Sequence, residues 1–130
     1  MQNLTGNVPV VALIIEDEPI QRMVLEKYFR HCGVEAFSAS NGHTALCILK
    51  EDFGINLVVC DLHMPAMDGF ELIEEINELK KSRQQPLQLI IISTEDKNDF
   101  YRLVPGNEVY TYLQKPFTPE AIWRFIDVVS

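Results

Sequence analysis

The sequence predicts an α/β domain with a parallel sheet, and three observations lead to it. Five short apolar runs alternate with segments of helical period along the chain. The chain has 130 residues, of which 47% are hydrophobic, enough for one compact core. The first run, Val10–Ile15, is nearly continuous and rich in β-branched residues, which is typical of a strand covered on both faces. Crossover helices then return the chain to the same edge of the sheet.

The first half of the chain contains three predicted strands and two helices. Pro19 opens the first helix, which carries one apolar stripe and ends at Gly33. A strand follows over 34–39, and a second helix begins after Asn41-Gly42 with three inward residues. The third strand covers 57–60. The stripe of the first helix is Ile20, Met23, Val24 and Tyr28, and the inward residues of the second are Ala45, Leu46 and Leu49.

The second half repeats the alternation. A third helix begins near Asp68-Gly69, with apolar residues at helical spacing, and a loop containing Pro86 leads to a fourth strand over 87–92. Residues 96–104 predict a short helix, and 109–113 predict the fifth strand. Thr118 is the expected N-cap of the last helix, with Pro119 at its first position. The apolar residues are Phe70, Ile73, Ile76 and Leu79 in the third helix, and Ala121, Ile122, Phe125, Ile126 and Val129 in the last.

Charge and cysteine content narrow the class of protein. The net charge of −8 and the pI near 4.8 argue against a nucleic-acid or anionic-membrane surface. The three cysteines are unclustered and odd in number, which favours reduced thiols in a cytosol. The longest apolar stretch, 8–15, is too short to span a bilayer and lacks a basic leader. We therefore expect a soluble cytoplasmic domain over 9–130, preceded by a tail over 1–8.

Polar residues follow the predicted strands at the points where they end. Glu16 and Asp17 follow the first strand, Asp61 the third, Ser93 the fourth, and Lys115 the fifth. Ligand sites of open parallel sheets lie outside the carboxyl ends of the strands, so these side chains are expected on one rim. Three carboxylates packed together repel unless a cation joins them, and Mg²⁺ suits oxygen ligands. The lysine and the hydroxyl could then hold an anion, which describes a phosphoryl-transfer site with an aspartate nucleophile.

Each of these residues also has an ordinary structural interpretation. A carboxylate after a buried strand is commonly a loop or capping residue, and 16–18 could be an acidic first turn favoured by the helix dipole. Ser93 alone would be a turn hydroxyl, and Lys115 a solvated lysine before a proline. The functional interpretation depends on all of them falling at strand ends in one domain.

The sequence resembles the receiver domain of two-component response regulators, the family of the chemotaxis regulator, over about 8–129. The Asp-x-x-Met-Pro-x-Met-Asp-Gly motif together with the later Lys-Pro-Phe is highly specific. The resemblance implies a doubly wound, flavodoxin-like three-layer sandwich with strand order 2-1-3-4-5. The matching residues are Glu16-Asp17, Asp61 with Met64-Pro65-x-Met67-Asp68-Gly69, Ser93-Thr94, and Tyr112-x-x-Lys115-Pro116-Phe117.

The resemblance also implies roles for the residues of the predicted rim. Asp61 would be the phosphoacceptor and, with Asp17, a ligand of Mg²⁺, while Glu16 would hold the ion through water. The backbone carbonyl of His63 would complete the protein's share of the coordination. Lys115, joined to Pro116 by a cis peptide, would pair with the phosphoryl group.

Further implied roles concern the phosphoryl oxygens and the switch. Ser93 and the backbone of Thr94 would bind the phosphoryl group, and Ser93 with Tyr112 would report its presence. The side chains of His63, Thr94 and Glu95 would modulate access to Asp61 and the lifetime of the acyl phosphate. A solvent-facing loop histidine is the alternative for His63.

The resemblance implies a signalling switch rather than an enzyme. Its phosphodonor would be a histidine kinase or a phosphotransfer protein, and Mg²⁺ its cofactor. A downstream protein or a second copy would bind the face made by the helix over 96–104, the fifth strand and the last helix. No direct nucleic-acid or membrane binding is expected.

Two alternatives stay open: a pseudo-receiver that takes no phosphate, and a Mg²⁺-dependent aspartyl phosphohydrolase. The hydrolase usually has a second acid at the position of His63. A flavin-binding domain is disfavoured because the first strand lacks a phosphate-cradling loop.

Overall fold

The computed structural model describes residues 9–52, 54–62, 69–83, 86–94, 96, 98–99, 102 and 111–129. In this part of the chain, five parallel strands form one sheet in the order β2-β1-β3-β4-β5, as predicted. The strands are β1 (Val11–Ile15), β2 (Glu35–Ala39), β3 (Leu57–Asp61), β4 (Gln88–Ser93) and β5 (Thr111–Gln114). The helices are α1 (Pro19–His31), α2 (Gly42–Glu51), α3 (Gly69–Ser82) and α4 (Pro119–Val129).

Two predicted segments lie largely or wholly outside the described residues. The predicted tail, 1–8, is one of them. Of the predicted helix over 96–104, the structure describes 96, 98–99 and 102, and it assigns helix at 98, 99 and 102. The label α4 therefore denotes the last helix of the chain. No helix within the described ranges combines the length and apolar character needed to cross a bilayer.

The apolar strands divide their side chains between two layers. One buried cluster contains Leu13 and Ile15 of β1 with residues of α2 and α3, and the other contains Ala12 and Ile14 with residues of α1 and α4. Because successive side chains of a strand point to opposite faces, a sheet with helices on both sides needs an unbroken apolar run. This explains why every residue of β1 is apolar, and every residue of β3 except Asp61 at its end.

The apolar stripe predicted for α1 is only partly buried. The buried residues of this helix are Leu25 and Phe29, whereas Ile20 is 66% and Met23 51% exposed. The helix begins at Pro19, as predicted, and Gly33 after its end has a positive φ of 79°, a conformation that favours glycine. Three residues of the stripe, Ile20, Val24 and Tyr28, line a groove, and Tyr28 also packs against the core cluster that contains Ala12.

In the other helices, most of the predicted apolar residues that the structure describes are buried. In α2 the three predicted inward residues are buried, and Asn41 caps its first turn by accepting from Thr44 N at 2.8 Å. In α3 and α4 the buried predicted residues are Ile73, Ile76, Ile122 and Ile126. Leu72 is also buried, although the prediction did not include it. Leu79, Ala121 and Phe125 are half-buried, and the side chains of Phe70 and Val129 lie outside the described residues.

The strand register brings the ends of β1 and β3 side by side. Ile15 pairs with Cys60, so Glu16 and Asp61 each follow one member of that pair. Asp61 pairs with Ile92 of β4, and Ser93 pairs with Gln114 of β5. Glu16 N donates to Ala39 O at 3.1 Å and Leu62 N to Ile92 O at 3.2 Å, which fixes the chain just beyond the strands. The segments that follow β1, β3, β4 and β5, which contain the predicted site residues, therefore lie at one edge of the sheet.

Candidate functional site

Three carboxylates meet at the carboxyl edge of the sheet. One carboxylate oxygen from each of Glu16, Asp17 and Asp61 lies within 4.8 Å of the other two. Glu16 and Asp61 are almost fully buried, with 1% and 3% of their surface exposed, and Asp17 is half-buried. The apolar strands hold the two buried acids rigidly, since both follow paired residues of the central sheet. The sequence predicted this convergence correctly.

Lys115 supplies the positive charge that contacts this cluster. Its Nζ donates to Asp61 Oδ2 at 3.0 Å, to Glu16 Oε1 at 3.2 Å and to Gln21 Oε1 at 2.9 Å. Lys115 N donates to Ser93 O at 2.7 Å, which ties the lysine backbone to the end of β4. The Lys115–Pro116 peptide is cis, as the resemblance implied.

Burial and crowding perturb the charges of the site. Burial, together with a hydrogen bond to Asp61 and its nearby charge, raises the pKa of Glu16 from 4.5 to about 7, although Lys115 opposes the change. Burial alone would lower the pKa of Lys115, but the carboxylates of Asp61 and Glu16 outweigh it and raise that pKa. On Glu16, burial and the neighbouring Asp61 together therefore outweigh the opposing effect of the lysine.

Of the other predicted site residues, three lie in the described part of the chain and two lie outside it. Ser93 is fully buried at the end of β4, next to an exposed Thr94. Tyr112 is half-buried on β5 and packs against the core cluster that contains Leu13. His63 and Glu95 lie outside the described residues, so their roles stay predictions.

Sequence reasoning missed Gln21 and Arg22 at the start of α1, and it considered Glu18 only as part of an acidic first turn. Glu18 caps the helix: its carboxylate accepts from Ile20 N at 3.2 Å and from Gln21 N at 2.8 Å. Arg22 Nη1 donates to Glu16 O at 3.0 Å and to Asp17 O at 3.4 Å, bracing the backbone of the acid pair. Gln21 reaches Lys115. For Glu18 and Arg22 the available signal was their position, because the first turn of a helix that opens at Pro19 must lie beside the acids that precede it.

A groove of about 430 Å³ adjoins the site on the outer side of Lys115. It runs between α1 and the segment after β5, and its lining is mostly apolar. Ile20, Val24 and Tyr28 of the predicted α1 stripe form one wall. The lining residues are Ile20, Gln21, Val24, Leu25, Tyr28, Thr94, Lys115, Pro116 and Phe117.

The donor set suits a hard divalent cation. Carboxylate oxygens are the ligands that Mg²⁺ prefers, and three of them lie close enough to share one ion or its waters. Burial, and then the neighbouring Asp61, raise the pKa of Glu16, and a bound cation would favour its charged form. With the ion in place, Lys115 would remain available to an anion, so the arrangement can hold a metal and a phosphoryl group together.

Residues 12–127 match the response regulator receiver domain family. The chain belongs to this family. It is 29% identical over 118 residues to the two-component response regulator ARR2 of Arabidopsis thaliana, a match that covers 88% of this chain. The matched region is 17% of ARR2, so the chain spans only a small part of that relative's length.

Solved structures show the same fold. The Vibrio cholerae chemotaxis protein CheY4 superposes with a TM-score of 0.79 at 21% identity, covering 94% of this chain and 99% of CheY4. The response regulator TrrA of Thermotoga maritima, solved in complex with Mg²⁺-BeF, superposes with a TM-score of 0.75 at 23% identity, covering 93% of this chain and 99% of TrrA. The predicted fold class is thereby confirmed: the chain has the architecture of a receiver domain, a signalling domain.

Proposed function

We propose that this receiver domain is a phosphorylatable switch whose phosphoacceptor is Asp61. The observation that carries the proposal is the placement of Asp61 at the end of β3, with Lys115 Nζ 3.0 Å from one carboxylate oxygen. Two further acids lie within 4.8 Å of it. A nucleophilic carboxylate, a cation for the transferred charge and a metal-binding acid pair are the parts that aspartyl phosphorylation requires.

The phosphodonor in this proposal is a phosphohistidine of a kinase or a phosphotransfer protein. An Asp61 carboxylate oxygen attacks phosphorus, an O–P bond forms, and the N–P bond to the donor imidazole breaks with its electron pair left on nitrogen. Lys115 moves from the carboxylates to a phosphoryl oxygen and stabilises the transferred negative charge. Ser93, buried at the end of the neighbouring strand, offers its hydroxyl to another phosphoryl oxygen.

Glu16, Asp17 and Asp61 would hold Mg²⁺, together with the predicted carbonyl of His63. When bound, the ion supplies Lewis-acid stabilisation of charge on the phosphoryl oxygens. The backbone of the acid pair is already braced by Arg22, and Glu16 is held by its neighbours in the sheet. The related TrrA was solved in complex with Mg²⁺-BeF, and shared membership of the receiver family supports the same ion for this chain.

The output in this proposal comes from the face that contains β5 and α4. A phosphoryl dianion at Asp61 would draw Ser93 toward it, and Tyr112 two residues into β5 would then settle into a different position. Trp123 is 55% exposed on α4 and Tyr112 is only half-buried, so both can respond to a change at this face. A downstream protein or a second copy would bind there.

Incubation with acetyl phosphate and Mg²⁺ tests the proposal. We expect one phosphoryl group per chain by intact mass, with a change in Trp123 fluorescence. Asp61→Asn abolishes the adduct, whereas Asp52→Asn, an exposed acid that accepts from Gly54 N, leaves it unchanged. Beryllofluoride with Mg²⁺ gives the same fluorescence change without covalent chemistry.

The alternatives predict different results in the same experiment. A pseudo-receiver shows no adduct and no response to beryllofluoride. An aspartyl phosphohydrolase shows sustained release of phosphate over many turnovers rather than a slowly decaying adduct. Either result would contradict the proposed switch.

A further inference from the structure

Gln21 makes the shortest contact of the three that Lys115 Nζ forms. Its Oε1 lies 2.9 Å from the ammonium, against 3.0 Å for Asp61 Oδ2 and 3.2 Å for Glu16 Oε1. The contact joins the first turn of α1 to the residue after β5, across 94 positions of the chain. A lysine ammonium has three donors, and these three acceptors use all of them.

The backbone of Gln21 is fixed independently of this contact. Its N–H donates to Glu18 Oε2 at 2.8 Å, and Pro19 sets the first helical residue. The next residue, Arg22, donates to the carbonyls of the acid pair. The amide oxygen of Gln21 is therefore presented from a braced helix turn, whereas the lysine stem is long and flexible.

The three acceptors of Lys115 Nζ should respond differently when a cation or a phosphoryl group binds at the site. Glu16 and Asp61 are carboxylates, and both belong to the cluster that would hold a divalent cation. When a cation or a phosphoryl group takes up their charge, their pull on Lys115 weakens. Gln21 is neutral and lies outside the cluster, so its amide oxygen carries no charge for the ion to take up and does not compete for the ion.

We propose that Gln21 is a positioning residue, which holds Lys115 Nζ at the rim of the carboxylate cluster through the contact of its amide oxygen. The geometric part of this inference concerns the lysine alone. Its second part, that the held lysine speeds phosphoryl transfer to Asp61, rests on the proposed function. The opposing interpretation is that an exposed amide makes a weak contact that solvent replaces without consequence.

The direct test measures the order of the lysine side chain. In protein free of divalent ions, ¹³C relaxation gives the order parameter of the Lys115 Cε methylene. We expect Gln21→Leu, which keeps the size and removes the acceptor, to lower it by about a third. Gln21→Glu, which retains an acceptor, should preserve it. The matched control Gln88→Leu, an exposed glutamine at the opposite end of the sheet, should leave it unchanged. An equal order parameter in wild type and Gln21→Leu would overturn the proposal.

The second test measures the rate of phosphorylation by acetyl phosphate in saturating Mg²⁺. Gln21→Leu should slow it about five-fold, the size expected for one hydrogen bond to a charged group in a partly exposed site. In a Lys115→Met background, Gln21→Leu should not slow phosphorylation further, because Gln21 acts only through the lysine. An equal slowing in that background would refute the positioning role.

The two tests separate the inference from the function on which its second part rests. Gln21→Glu should preserve the lysine order yet slow phosphorylation, because a fourth carboxylate repels the incoming phosphoryl group. A change of fold alone would not produce those opposite results. If wild type accepts no phosphoryl group, the proposed function fails, and the order parameter by itself decides whether Gln21 positions Lys115.

Discussion

The two ends of the central sheet differ in their polar groups, which are neutral and hydrogen-bonded at one end and charged at the other. At the amino end, Asn56 completes the strand ladder: its Oδ1 accepts from Val11 N at 2.8 Å and its Nδ2 donates to Pro9 O at 2.9 Å. Its backbone links β1 and β4 as well, through Val11 O and Gln88 N. This residue is neutral, and its donors and acceptors match those of the backbone around it.

At the carboxyl end, the polar groups are charged and are not balanced. Three carboxylates lie together, two of them contact one lysine, and burial with this crowding raises the pKa of Glu16 to about 7. Charges crowded in a buried site destabilise the folded chain unless a ligand joins them. The difference indicates that the amino end stabilises the fold, while the carboxyl end is built for a ligand. Substitutions at the two ends should therefore affect different measurements.

The largest effect is expected at the carboxyl end, from Lys115→Met. The change removes the charge that faces Asp61, so the rate of phosphorylation by acetyl phosphate should fall about 100-fold or more. Lys50→Met on α2, an exposed lysine, serves as the control and should leave the rate unchanged. A Lys115→Met rate within a few-fold of wild type would show that this lysine does not stabilise the transferred charge.

Asn56→Ala tests the amino end. The loss of two side-chain hydrogen bonds leaves Val11 N and Pro9 O without those partners, and we expect the free energy of unfolding to fall by about 2 kcal/mol. Urea denaturation gives the value. The phosphorylation rate per folded molecule should stay at the wild-type level, and a large drop in that rate would break the distinction between the two ends.

Glu16→Gln tests the effect of burial and of the neighbouring Asp61 on this carboxylate. The folded pKa of Glu16, about 7, lies above its ordinary value of 4.5, so between these values the folded state binds a proton that the unfolded chain does not. Without divalent ions, the unfolding free energy of wild type should therefore rise as the pH falls from about 7 toward 4.5. The gain relative to Glu16→Gln should reach about 2 kcal/mol, and excess Mg²⁺ should reduce it. Parallel pH profiles for the two proteins in EDTA would contradict the crowded-charge account.

Much of this comparison was predictable from the sequence, but not all of it. Unbroken apolar runs predicted the sheet, and the strand ends predicted that Asp61, Glu16 and Lys115 meet, because strand direction alone brings them to one edge. The sequence predicted an apolar stripe on α1 but not which of its residues are buried, since the exposed Ile20 is as apolar as the buried Leu25.

Gln21 and Asn56 show what the sequence could not predict. Both act through hydrogen bonds to partners far along the chain, 94 residues away for Gln21 and 45 for Asn56 with Val11. Neither contact produces a periodic pattern or a recognisable spacing, because it depends on how separate elements are placed by packing. Such contacts require the three-dimensional structure.

The most direct measurement of the central claim locates the phosphoryl group on the chain. Protein treated with acetyl phosphate and Mg²⁺ is reduced with borohydride, which converts an aspartyl phosphate into homoserine, and is then sequenced by peptide mass spectrometry. The account predicts homoserine at position 61 alone, and only when Mg²⁺ is present. Homoserine at another acid, or none at 61 in protein that remains folded, would contradict it.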